Sequence, residues 1–199
     1  YRAIDDLITG NSYLSSCQEM SEYVFNADLT KEDSEISDNL ESLGYYQYYK
    51  DTNRVTYYDR GGEIELSSEP DITEDCISLS YNTGDIFVPF YLRLGDFTYD
   101  SDIYEDNIAY DESPKILADM ESIRNIDVGT TLESIEQSGL LKYADHIKKT
   151  YYRGTDKLEY QIDLSIYLNR GENNSDSNHI HNNLHIKDGA VTESYSSKK

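Results

Sequence analysis

KLEYQIDLSIYL, residues 157–168, decides how the chain is read. Leu158, Tyr160, Ile162, Leu164, Ile166 and Leu168 occupy alternate positions, and Glu159, Gln161, Asp163, Ser165 and Tyr167 fall between them. A strand turns successive side chains to opposite faces, so this spacing predicts one apolar face and one polar, tyrosine-bearing face.

Similar signals surround it. HIKKTYY (146–152) reaches the strand through the turn RGTD (153–156), and a polar loop, GENNSDSN (171–178), follows. NHIHNNLHI (178–186), the turn KDG (187–189) and AVTESYS (190–196) then complete a predicted meander. Ser113 and Pro114 are cap and first-turn signals for a helix carrying Ile116, Leu117, Met120 and Ile123. A second helix is predicted from Thr130 or Thr131 through Leu132 and Ile135 to a stop at Gly139.

The first half repeats this order. After a helical lead-in at Ala3–Ile8, Asn11 and Ser12 cap a helix with Leu14, Cys17, Met20 and Val24 at helical spacing, ending near Asn26. A second helix is predicted from Thr30, with Asp33 completing a short capping box, with Ile36, Leu40 and Leu43 along one side and Gly44 as left-handed cap. YYQYY (45–49), VTYYD (55–59), EIELSS (63–68), CISLSY (76–81) and IFVPFYLRL (86–94) follow as five antiparallel strands, Pro89 marking an edge or bulge in the last.

The halves match partly in letter. Asn26 to Thr30 resembles Asn125 to Thr130, and YYDRGGEIEL from Tyr57 resembles YYRGTDKLEY from Tyr151. The expectation is an α+β protein of two tandem modules, each a helical pair followed by an antiparallel meander: residues 1–94, an acidic connector at 95–112, and residues 113–199. VGTTLESI (128–135) resembles the G-x-T-x-E-x-[VI] helix start of the SmpA/OmlA and beta-lactamase-inhibitor-protein-like (BLIP-like) modules, and Gly139 and LHIKDGAVTESY fit the same pattern. In the first half Gly129 has no counterpart. The resemblance implies helical pairs packed on antiparallel sheets whose aromatic-rich surface binds another protein without catalysis.

Composition narrows the function. Seventeen Lys and Arg against 39 Asp and Glu give a net charge of -22, which repels nucleic acid and anionic membranes over most of the surface. The acidity fits a solvated secreted surface or an anionic mimic filling a partner's basic cleft. Mean hydropathy is -0.72, yet 20 Tyr and strict alternation are not the composition of a disordered chain. No apolar run approaches the roughly 20 residues of a membrane-spanning helix. The start at Tyr1 without methionine is read as the mark of a removed export signal or lipid anchor, or of trimming, and an extracellular or cell-surface location is expected. Cys17 and Cys76 are expected as two separate thiols, since Cys17 shares a helical face with Leu14 and Val24 while Cys76 points away from Ile77 and Leu79.

Three chemical candidates remain. His179 and His181 share a strand face and form the metal-like pair, which His185 joins only if Asn182 and Asn183 turn the chain; an exposed strand is the expectation. Asp96, Asp100, Asp102, Glu105, Asp106, Asp111 and Glu112 lack the spacing and central glycine of a calcium loop. G-x-S-x-G, P-loop, dinucleotide and H-E-x-x-H motifs are absent, so no enzyme and no cofactor are expected. The tyrosines at Tyr45, Tyr46, Tyr48, Tyr49, Tyr57, Tyr58, Tyr151, Tyr152, Tyr160 and Tyr167 fall on predicted strands, where one of each adjacent pair would be core and the other outward. Tyr46, Tyr48, Tyr58, Tyr152, Gln161, Asp163 and Tyr167 are the predicted binding surface for a protein partner. An accessory structural domain of an envelope lipoprotein and a carbohydrate-binding module are the competing readings.

Overall fold

The computed structural model describes residues 16–59, 61–68, 75–83, 110–168 and 178–197. The predicted lead-in at Ala3–Ile8, the start of the first helix, the strand at 86–94 and most of the acidic connector lie outside them.

Helix α1 covers residues 16–26 and α2 spans Asp33–Ser42. Strands β1 (Tyr46–Lys50), β2 (Arg54–Asp59), β3 (Gly62–Ser67) and β4 (Cys76–Asn82) follow. Then come α3 (Tyr110–Arg124), α4 (Leu132–Gln137) and a 3-10 turn at Leu140–Tyr143. Strands β5 (Ala144–Tyr152), β6 (Leu158–Leu168), β7 (Asn178–Lys187) and β8 (Ala190–Ser196) complete the order. The eight strands among the described residues form one antiparallel sheet in sequence order, so the protein is α+β.

The two halves meet by strand pairing. β4 and β5 run in register from Cys76–Tyr152 to Asn82–His146, and the sheet continues through this junction. One face of the sheet carries Ile64, Leu66, Ile77, Leu79, Ile147, Ile162, Leu164, Ile166, Ile180 and Leu184, all buried in one cluster with Met20, Val24, Ile36 and Leu40 of the first helices and Met120, Ile123 and Ile135 of the later ones. Burying each such aliphatic side chain stabilises the fold by roughly 1.5–3 kcal/mol. The alternation in KLEYQIDLSIYL thus becomes β6, with Ile162, Leu164 and Ile166 buried against the helices.

Local signals act largely as predicted in the second half. Thr131 caps α4, its hydroxyl accepting from the Ser134 N–H at 3.2 Å. Gly139 adopts φ 73°, where a side chain would be strained. The VGTT segment is stitched to the β7–β8 turn: Gly129 N–H donates to Val191, Val191 N–H to Thr130 and Leu132 N–H to Gly189, each at 2.8 Å.

Several expectations are corrected. α2 begins at Asp33 after Glu32, which makes no side-chain cap; instead the Asp28 carboxylate accepts from the Thr30 N–H at 3.0 Å and its hydroxyl at 2.6 Å, which holds Thr30 in a turn. Leu43 lies beyond the helix and is 55% exposed. α3 already includes Tyr110, upstream of Ser113 and Pro114. The matching letters at Tyr57 and Tyr151 fall on the β2–β3 and β5–β6 hairpins, whereas strand order sets β1, not β2, against β5.

Candidate binding face

The sheet surface opposite the helices carries three long cross-strand rows. The first runs Tyr46, Tyr58, Glu63, Asn82, His146, Asp163, Asn183, Tyr195 across the eight described strands. Beside it runs Tyr49, Thr56, Glu65, Ser80, Lys148, Gln161, His185, Glu193. The third is Arg54, Ser67, Ser78, Thr150, Glu159, Lys187. No aliphatic residue appears in any row. At strand spacings of about 4.8 Å the eight strands span roughly 34 Å, the breadth of an ordinary protein–protein contact. Glu63, Glu65, Glu159, Asp163 and Glu193 are only partly offset by Arg54, Lys148 and Lys187, so the rows are acidic at about the same density as the chain as a whole.

Aromatic residues mark both ends. Tyr46 is 70% exposed and Tyr195 61%. Tyr48 packs edge-on against Tyr58 with ring centres 6.3 Å apart, and its hydroxyl donates to Glu63 Oε1 at 2.9 Å. That hydrogen bond to a carboxylate holds the Tyr48 proton and raises its pKa. Tyr49 lies under the Arg54 guanidinium, 5.2 Å from its ring centre. The one-in, one-out rule fails at Tyr48 and Tyr49, which are both exposed, because the register shifts between Gln47 and Tyr49 and β1 is covered on neither side. It holds at the next pair, Tyr57 being fully buried and Tyr58 exposed.

The middle of the face is a hydrogen-bonded cluster on β5, β6 and β7. Asp163 accepts from the Asn183 amide and lies between His146 Nδ1 at 3.7 Å and His181 Nε2 at 3.9 Å. Next to it, Ser165 donates to Asp145 Oδ2 at 2.5 Å. Asp145 Oδ1 is buried without a hydrogen-bond partner among the described residues. Burial raises the Asp145 pKa and the Asp163 charge adds to the rise, while the Ser165 hydrogen bond opposes it. An orphaned acceptor in low dielectric makes the ionised form costly, which accounts for the direction.

Of the predicted surface, Tyr46, Tyr58 and Asp163 share the first row and Gln161 lies in the next. Tyr48 joins them through its contact with Tyr58. Tyr152 pairs with Cys76 at the end of β4 and β5, with the Lys157 ammonium 3.9 Å over its ring. Tyr167 pairs in register with His179, but the side chains of both lie outside the described residues. β7 is uninterrupted, so Asn182 and Asn183 do not turn the chain and His185 stands four residues, about 13 Å, from His181. Among the described residues no group of three metal-ligating side chains converges. Cys17 and Cys76 form no disulfide with each other, and Cys17 Sγ donates to the Gly61 carbonyl at 3.2 Å.

Sequence reasoning missed Tyr195, His146 and Asn183. Simple alternation puts Tyr195 on the side of the buried Val191; a register shift between His185 and Ile186 opposite them reverses this. His146 and Asn183 carried a signal, since they flank Ile147 and Leu184 on strands whose apolar phase was plain.

Comparison with protein-family models, curated proteins and solved structures finds no match to this chain.

Proposed function

We propose that the chain is an exported or cell-surface binding protein, without catalytic activity, that engages a protein partner through the open face of its sheet. The observation that carries this reading is the row from Tyr46 to Tyr195, polar throughout and ended by exposed tyrosines. Tyrosine supplies rigid contact area at low entropic cost, and a surface of hydrogen-bonding side chains between aromatic ends suits a wet, specific interface.

In this reading the chain is a tandem pair of helix-helix-sheet units of the SmpA/OmlA and BLIP-like kind. The recurrence of two helices and four strands supports it. So does the tying of the VGTT helix start to the β7–β8 turn. The units then share a core and one continuous sheet.

The test is a Tyr46→Ala/Tyr58→Ala variant. Retention of the wild-type melting temperature with loss of partner capture from the native envelope supports the proposal; unchanged capture contradicts it. A glycan array is the second arm, since saturable binding to one sugar class would move the assignment to carbohydrate recognition.

A further inference from the structure

A cleft of about 480 Å³ opens between α1 and the connection from α2 to β1, lined by Glu19, Glu22, Tyr23, Leu43, Tyr45 and Asp59. Asp59 has the parity of the buried Tyr57, so the cleft lies at the β1 edge on the helix side of the sheet, apart from the open face. Glu19, Glu22 and Tyr23 come from successive turns of α1, and Tyr45 leaves the Gly44 turn toward β1.

Its walls are aromatic and its rim is acidic. The Tyr23 and Tyr45 rings meet edge-on at 6.0 Å. Glu19 and Asp59 form no ion pair or side-chain hydrogen bond among the described residues, and the Glu22 carboxylate accepts from the Gln18 amide at 2.8 Å. Their charge is felt inside: burial, then Glu19, Asp59 and Tyr23, push the Tyr45 hydroxyl up to about 12. Three carboxylates around two tyrosine rings, with no basic residue among the described residues that line the cleft, repel one another, and a cation placed between them relieves the repulsion. Ring faces attract such a cation within about 6 Å, and its aliphatic stem would cover the exposed Leu43.

We propose that this cleft binds the arginine or lysine side chain of a protein partner. The volume suits one long side chain, and the net charge of -22 draws a basic segment toward the surface.

The experiment uses the full chain with ring-labelled tyrosine, titrated with acetyl-Gly-Arg-Gly-amide and followed by NMR. Saturable shifts of the Tyr23 and Tyr45 ring signals are expected, with none for the uncharged citrulline analogue. E19Q/D59N should weaken binding by about fivefold or more with no fall in melting temperature, while the charge-matched control E133Q/D156N leaves it unchanged. Equal shifts with citrulline, an equal loss in the control, or no saturable shift would overturn the proposal. Equal or tighter binding of tetramethylammonium, which has no stem to lie on Leu43, would overturn the assignment to a side chain.

Discussion

Lys149 on β5 donates its ammonium to the main-chain carbonyl of Ala27 at 2.5 Å, across 122 residues of sequence, and to that of Phe25 at 2.9 Å. The last carbonyls of a helix have no partner within it, and here a buried lysine from the other half of the chain supplies one. Asn182 on β7 does the same for α3, its amide donating to Ile123 at 2.9 Å and Ile126 at 3.3 Å. Both helix ends are therefore fixed by polar side chains set into the apolar face of the sheet.

Replacing Lys149 with methionine keeps the length and removes both hydrogen bonds. A loss of about 2 kcal/mol is expected in chemical denaturation, since two buried carbonyls are left unpaired while the cost of burying the charge is relieved. The pH dependence has a definite sign. Burial lowers the Lys149 pKa from 10.5 to about 8, although Asp28 opposes the shift. Between these values the unfolded chain binds more protons than the folded one, so this group makes stability rise with pH. The gap between wild type and Lys149→Met should accordingly widen from pH 8 to pH 10 and be flat below.

Asn182 is fully buried and also accepts from the Ser194 hydroxyl at 3.0 Å. Asn182→Ala should lower stability by about 2–3 kcal/mol, read as a shift of the denaturation midpoint at unchanged slope. Asn182→Asp should cost more, because a carboxylate cannot donate to the two helix carbonyls.

Adjacent tyrosines should behave oppositely. Tyr57 is fully buried with its hydroxyl against Ser37, so Tyr57→Ala should destabilise by about 3–5 kcal/mol. Tyr58→Ala, on the open face, should stay within about 1 kcal/mol of wild type. Similar losses at the two positions would mean that the strand is not sided as described.

Gly61 is where α1 docks. Its carbonyl accepts from Cys17 Sγ and from the Tyr81 hydroxyl, and an added Cβ would stand 2.5 Å from the Cys17 backbone nitrogen. Gly61→Ala should cost about 3 kcal/mol, since backbone must move to admit it. Melting temperature and protection of the α1 amides from hydrogen exchange should fall together.

Much of this fold was legible where a local rule governs it. The alternation from Leu158 to Leu168, the Thr131 cap and the Gly139 stop need only a few neighbouring residues. The pairing of Ile77 with Tyr151 was not legible, because no local pattern says which of two distant strands are neighbours. Lys149 and Asn182 were visible as polar residues in apolar phase, between Ile147 and Tyr151 and between Ile180 and Leu184, but their targets lie on helices far away in sequence. On the open face Gln161 and Asp163 followed from alternation. Tyr195 did not, because a one-residue register shift in a ladder leaves no mark in composition.

The central claim is that partners meet the open face, and site-directed photocrosslinking in cells that make the protein tests it most directly. A benzophenone amino acid would replace Tyr46 or Gln161 on the open face, and Leu117 or Glu121 on the exposed side of α3. The account predicts one discrete protein adduct from both open-face positions and none from the helix positions. Adducts from α3 with none from Tyr46 or Gln161 would contradict it.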